Sequence, residues 1–180
     1  YAGGEVLYPG CFTHITPSFY FPHVVYVDKD PVAVDFFADQ ASILQFVERN
    51  KKYKRSAYLQ FLAGDYLQEM PLAEGQFDIL MALYASGIAH ACKRYLKTGG
   101  ILVTNNFRQE AENAILDRAY QLVSVVRRNK KNYAPIDKEP KEMADPRKKA
   151  GVTKTIRRTD QGFEYTEPDE YFIFRKCRAK

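Results

Sequence analysis

Residues 6–28 read VLYPGCFTHITPSFYFPHVVYVD, and this stretch decides how the rest of the chain is read. A short apolar strand stops at Pro9-Gly10, because proline lacks an N–H and glycine accepts a left-handed backbone. The crossover that follows contains Pro17 and Pro22, which keep any helix in it short. Thr16-Pro17 has the form of a cap followed by proline at the first helical position. Residues 24–27 are apolar and mostly β-branched, a buried strand, and the run ends in Asp28. Strand, glycine turn, crossover, strand and acid make the opening half of a nucleotide-binding α/β unit, whose ligand lies outside the carboxyl ends of the strands. The turn lets backbone approach the ligand, and the acid can hold a ribose diol. Gly10 and Asp28 are 18 positions apart, near the spacing of about 20 that such a unit uses. The glycine pattern itself is divergent, with Phe12 and His14 where glycines are usual.

Working outward, Asp30-Pro31 predicts a helix with Asp30 as its cap, and a further helix is expected over residues 43–49. Residues 50–55 are a basic loop. The third strand is expected over 57–63, ending in Gly64-Asp65, and the fourth over 77–83, ending in Tyr84. Residues 87–96 read as a helix stopped by Lys97-Thr98-Gly99-Gly100. The fifth strand covers 101–104 and is followed by Asn105 and Asn106. A helix over 110–119, a sixth strand over 122–126 and late strands over 163–165 and 171–174 complete the pattern. Strands alternating with helices predict a parallel sheet covered on both faces. The ending lacks a crossover helix, so an antiparallel closing pair is expected at one edge.

The 180 residues, 46% hydrophobic, suffice for one domain over 1–180 with a real core. No apolar run reaches the roughly 18–20 residues that span a bilayer, so no membrane partner is expected. Cys11, Cys92 and Cys177 are odd in number and widely spaced, which predicts free thiols rather than disulfides or a zinc site. With no charged-then-apolar leader, a reducing, cytoplasmic location is expected, and no metal site. The net charge of +5 is uneven: residues 127–158 hold 12 Lys/Arg and 4 Asp/Glu, the remainder 15 and 18. A basic insertion at about 127–160 is therefore expected, read either as a solvated segment or as a clamp for an anionic partner. Its only aromatic ring is Tyr133, too few for a nucleic-acid stacking platform, so a small-molecule substrate is favoured over nucleic acid.

With these elements in place, the chain resembles the Rossmann-like (class I) S-adenosylmethionine-dependent methyltransferases over about residues 6–175. VLYPGCFTH at 6–14 stands in register with that family's VLDxGxGxG, Gly10 matching the first glycine. Asp28 matches the acid after the second strand, and AGDY at 63–66 places Asp65 at the acid after the third. FDIL at 77–80 and LKTGGILV at 96–103 are similar to the family's fourth strand and to its LKPGG-type stop and fifth strand. The resemblance implies a three-layer α/β sandwich, its mostly parallel seven-stranded sheet carrying an antiparallel strand near the C-terminus. It implies S-adenosyl-L-methionine as cofactor, held by Pro9, Gly10, Cys11, Thr13, Asp28, Lys29, Gly64, Asp65 and Tyr66. His14 in the cofactor turn and Tyr84 at the fourth strand tip are the implied catalytic residues, His14 as the base. The implied reaction is methyl transfer to a small-molecule acceptor. ALYASG at 82–87 stands where adenine-amine methyltransferases carry NPPY or DPPY, which disfavours that acceptor.

Each residue also has a plainer reading: an ordinary turn at Gly10, a helix cap at Asp28, solvated groups at Lys29, Asp65 and Tyr66, a structural histidine at His14. Phe12 could fill the methionine pocket or point away from it. The alternatives are a methyltransferase-like module that has lost its cofactor, and a nicotinamide-dependent oxidoreductase. The latter is weakest, because GCFTH lacks the GxGxxG spacing that sets pyrophosphate on a helix N-terminus.

Overall fold

The strand β1 (Glu5–Pro9) is the middle one of the five parallel strands of the sheet, and all but its first residue are buried. The computed structural model describes residues 4–129, 132–135, 156–159, 162–165 and 170–178. On one side of β1 lie β2 (His23–Asp28) and then β3 (Tyr58–Ala63); on the other lie β4 (Phe77–Ala82) and then β5 (Leu96–Thr104). All four pairings are parallel. The chain continues through β6 (Tyr120–Asn129), β7 (Asn132–Pro135), a hairpin of β8 (Ile156–Thr159) and β9 (Gly162–Tyr165), and β10 (Glu170–Lys176). β10 slots antiparallel between β5 and β6, giving the order β3-β2-β1-β4-β5-β10-β6-β7. Seven of these strands are the expected seven-stranded sheet, and the short β7 adds an eighth at the edge. The basic segment expected as an insertion at about 127–160 begins as the end of β6 and as β7. Its residues 130–131, 136–155 and 160 lie outside the described residues.

Successive residues of β1 face opposite layers, as the two-residue period of a strand requires. Val6 and Tyr8 join Tyr26, Phe37 and Val47 under a 3-10 turn (Thr16–Phe19), α1 (Pro31–Ala38) and α2 (Gln40–Asn50). Leu7 joins Val25, Leu80, Ala89 and Ala114 on the face covered by α3 (Ile88–Ala91) and α4 (Glu110–Leu116). Asp30 caps α1 as predicted, its Oδ1 accepting from Val32 N at 2.8 Å, with Pro31 in the first turn. The proline-restricted crossover is held by one buried phenol. Tyr26 Oη lies 2.7 Å from Ser18 Oγ, accepts from Ser18 N at 3.2 Å and donates to Ile15 O at 3.2 Å.

The helix expected over 87–96 is much shorter. Gly87 enters α3 left-handed, and the chain tightens into a 3-10 turn at Lys93–Tyr95. Leu96 is already paired opposite Phe77 in β5. The glycines after it do not stop a helix. Register passes from Phe77↔Leu96 to Ile79↔Ile101, so residues 97–100 bulge out of β5. Gly99 takes φ +84°, and a Cβ on Gly100 would sit 2.8 Å from Leu96 Cδ1 and 2.9 Å from the Lys97 carbonyl. Among the described residues no helix is long and apolar enough to cross a membrane. Cys11, Cys92 and Cys177 are free.

Tyr26→Phe removes only the hydroxyl that ties the crossover to β2. It leaves buried Ser18 groups short of a partner, a loss of about 1–3 kcal/mol. Urea unfolding at neutral pH should show the midpoint fall with an unchanged slope.

Candidate functional site

The C-terminal tips of β1, β2, β3 and β4 converge on the turn that follows β1. Gly10 N donates to Val27 O at 2.8 Å, which closes the turn against β2. Asp28 completes it from the side. Its Oδ2 accepts from Phe12 N at 2.8 Å and its Oδ1 from Asp30 N at 2.9 Å, so one carboxylate ties the turn after β1 to the start of α1. Asp28 O accepts from Gly64 N at 2.9 Å, which sets the tip of β3 beside it. Asp65 is one residue further on. Its Oδ2 pairs with Lys29 Nζ at 2.8 Å and its Oδ1 accepts from Leu67 N at 3.0 Å. The Lys29 bond holds the Asp65 carboxyl below the ordinary carboxylate range and raises Lys29 in turn. Lys29 is 69% exposed, so this pair is a surface contact of small energetic weight.

Gly10 is required by its surroundings. Its φ is +64°, and a Cβ there would meet Ala85 Cβ at 2.6 Å. The Tyr66 ring lies 3.5 Å from the same point, and Tyr66 Oη donates to Ser86 O at 3.2 Å. Tyr66 follows β3 and Ser86 follows β4, so this side chain bridges across the tip of β1. Phe12 also has a left-handed backbone, φ 48°, and is half-buried. Pro9 is the last residue of β1, and Thr13 is half-buried within the turn. Cys11 is buried in the core beneath α1 and α2, and burial with the nearby Asp28 charge pushes its thiol far up. Only the backbone of Cys11 is available to a ligand at the turn.

Tyr84 packs half-buried against the core face beneath α1 and α2, and His14 stands exposed at the turn after β1; both flank a residue that sequence reasoning did not single out. Tyr8 is 1% exposed, and its hydroxyl lies 3.0 Å from His14 Nδ1, with the two rings edge to face at 5.7 Å. Burial drives the Tyr8 phenol well up, with Tyr84 and Tyr171 adding to the shift, so Tyr8 stays protonated. Desolvation lowers His14 below its ordinary 6.5. Tyr84 is half-buried with φ 57°, and its N–H donates to Asn105 Oδ1 at 3.3 Å. The signal for Tyr8 was its place in VLYPG, where the resembled motif has an acid. Glu110 carried no such signal. It is 1% exposed and accepts from Gly87 N at 2.7 Å and Ala89 N at 2.6 Å, capping α3 from α4. A half-open groove of about 390 Å³ between α3 and α4 is lined by His90, Glu110, Asn113 and Asp117. It lies on the other face of the sheet from His14, and none of the expected cofactor residues lines it.

The acceptors at these tips could take hydroxyl or amino donors from a ligand. Asp28 and Asp65 stand at neighbouring strand tips, and each carboxylate oxygen keeps lone-pair capacity beyond the bond it already accepts. No group of His, Cys, Asp and Glu among the described residues is arranged to hold a metal ion.

No model of a known protein family matches the sequence, and no curated protein sequence matches it. Solved structures do. Geranyl diphosphate C-methyltransferase from Streptomyces coelicolor, bound to Mg2+, geranyl diphosphate and S-adenosyl-L-homocysteine, superposes with a TM-score of 0.53 at 16% identity. That match covers 70% of this chain and 58% of the other. The cyclase SpnF gives a TM-score of 0.51 at 18% identity over 69% of this chain and 53% of its own. The chain thus spans little more than half the length of these two. A SAM-dependent methyltransferase from Methanosarcina mazei matches over 99% of this chain and 95% of its own, with a TM-score of 0.51 at 14% identity. The strand order, the antiparallel β10 and these superpositions agree: the chain has the Rossmann-like fold of the class I S-adenosylmethionine-dependent methyltransferases.

Proposed function

We propose that the chain binds S-adenosyl-L-methionine at the tips of β1, β2 and β3 and transfers its methyl group to a small-molecule acceptor. The observation that carries this reading is the Asp28 carboxylate set against the Gly10–Phe12 turn, with Asp65 beside it. When bound, the cofactor supplies a methyl group on a sulfonium that is already a good leaving group. Asp28 would hold the ribose hydroxyls through its remaining lone pairs, in charge-assisted bonds of about 1.5–3 kcal/mol each. The Asp65 turn and Lys29 would border the adenine, and the backbone of residues 9–13 the amino-acid portion. Positioning of the acceptor then supplies most of the rate. For an oxygen or nitrogen acceptor, His14 would take the proton at Nε2, provided Nδ1–H donates to Tyr8 Oη.

A second reading has its own support. Ala85 and Tyr66 occupy the space directly over Gly10, and both aspartates already bond to groups of the chain itself. A module that has lost its cofactor would look like this. The methyltransferase reading requires Tyr66 to swing off Ser86 before the cofactor enters.

Calorimetric titration with S-adenosylhomocysteine separates the two. The proposal expects micromolar binding that Asp28→Ala weakens at least about tenfold, the worth of one charge-assisted bond. No heat at millimolar ligand establishes the inactive module instead.

Tyr66→Phe deletes the bond to Ser86 O and should tighten S-adenosylhomocysteine by about fivefold, the worth of one neutral hydrogen bond. An unchanged or weaker affinity would mean that Tyr66 is a wall of the site and not a latch over it.

Once an acceptor is in hand, the rate should rise with pH in a single step centred below the ordinary histidine value of about 6.5, then stay level. The sign follows from the lowered His14 pKa, which leaves the imidazole neutral, and able to take a proton, at lower pH than a free histidine. His14→Gln should remove the step and cost roughly 100-fold in kcat.

A further inference from the structure

Among the described residues, five besides glycine have a left-handed backbone, and four of them sit where the chain leaves β4 and β5: Tyr84, Asn106, Arg108 and Gln109. A side chain with a Cβ is strained in that conformation, and such strain gathers at ligand sites and switch points. Between these loops stands Asn105, 7% exposed. Its Oδ1 accepts from Tyr84 N at 3.3 Å and from Phe107 N at 3.4 Å, so one side chain ties the two tips together. Those bonds also fix which way the amide faces, since the reverse orientation would set its NH2 against two N–H donors. The Nδ2 is thereby turned away, buried and without a hydrogen-bond partner.

In the neighbouring amide both polar atoms have a partner. Asn106 Oδ1 accepts from Ala111 N at 2.9 Å, and its Nδ2 donates to Glu112 Oε1 at 3.1 Å. Glu112 Oε2 is a second buried atom without a partner in the same loop-and-helix unit. A buried donor that gives up water and gains nothing is uncommon, and it calls for a specific use.

We infer that the Asn105 carboxamide is a ligand-binding donor at the tips of β4 and β5, and that its ligand is a small molecule presenting an accepting oxygen there, as a carbonyl or hydroxyl does. An ammonium group offers no lone pair to Nδ2, and a hydrocarbon leaves it unpaired. Entry of the ligand shifts the loop over residues 105–109, and the left-handed residues in it are where that shift relieves strain. The inference deepens the proposed function by naming the acceptor's chemistry, and takes from it only that the acceptor meets the chain at these tips.

The test uses the 15N-labelled chain without cofactor. The Asn105 NH2 pair is assigned by its absence in Asn105→Asp, which keeps the accepting oxygen and deletes the donor. Benzamide, benzylamine and toluene are then titrated in turn. Benzamide should shift the pair, and Asn105→Asp should weaken its binding about tenfold, read on the Tyr84 and Phe107 amides. Benzylamine and toluene should leave the pair in place. The inference is overturned if no probe moves the pair, if all three move it alike, or if the pair shows contact with a long-lived water that satisfies it. Should Asn105→Asp fail to fold, the pair is assigned by triple-resonance spectra and the three titrations still decide. A benzamide response beside a silent S-adenosylhomocysteine titration removes methyl transfer and leaves this site; the converse removes this site alone.

Discussion

One carboxylate holds the candidate site in shape. Asp28 takes an amide from the turn after β1 and another from the entry to α1, so two segments 18 positions apart in sequence share one charge. Charge-assisted bonds of this type contribute about 1.5–3 kcal/mol each. The Gly10 turn needs such a clamp because its backbone is left-handed at Gly10 and again at Phe12. The same clamp brings a negative charge close enough to Cys11 to help suppress its thiolate. Any hydroxyl ligand would have to share these oxygens with the backbone. That is chemically possible, because a carboxylate offers about four lone-pair directions.

The departures from the familiar glycine pattern are not scattered. Where the resembled motif has an acid this chain has Tyr8, and where a later glycine is usual it has His14. The two side chains found each other at 3.0 Å. A buried phenol facing an imidazole replaces a carboxylate facing the ligand, and both rings need more room than the residues they stand for. A fold of this type carries more than one chemistry, since a protein described as a cyclase shares it with methyltransferases. The reaction therefore has to be argued from side chains such as these and not from the scaffold.

Much of the scaffold was legible because buried parallel strands are written as unbroken apolar runs. VVYV in β2 is such a run, and FDIL in β4 departs from it only at Asp78. Asp30-Pro31 was legible for a local reason, a cap and a fixed φ acting on the next turn. α3 was not, because its start is set by Glu110, 23 positions from Gly87. LKTGG misled for a related reason. Its glycines fit a helix stop as well as a bulge, and only pairing with β4 distinguishes them. Within the site, Gly10, Asp28 and Asp65 could be named from spacing along successive strand ends. Tyr66 was named beside Asp65, but its bond to Ser86 over Gly10 could not be read, nor could the place of Asn105 between two tips, since each depends on residues roughly twenty positions away meeting in space.

The place of β10 has a consequence for how the molecule is made. Strand β6 borders no strand of the parallel core; its neighbours are β7 and β10. Arg127 of β6 and Glu170 of β10 form an ion pair across 43 positions of sequence. During synthesis on the ribosome, the parallel half of the sheet can close first, while β5 presents a bare edge and β6 waits. Until residues 170–176 emerge, that edge is open to other nascent chains. Completion of the sheet thus requires a late segment to enter between two strands that precede it in the chain.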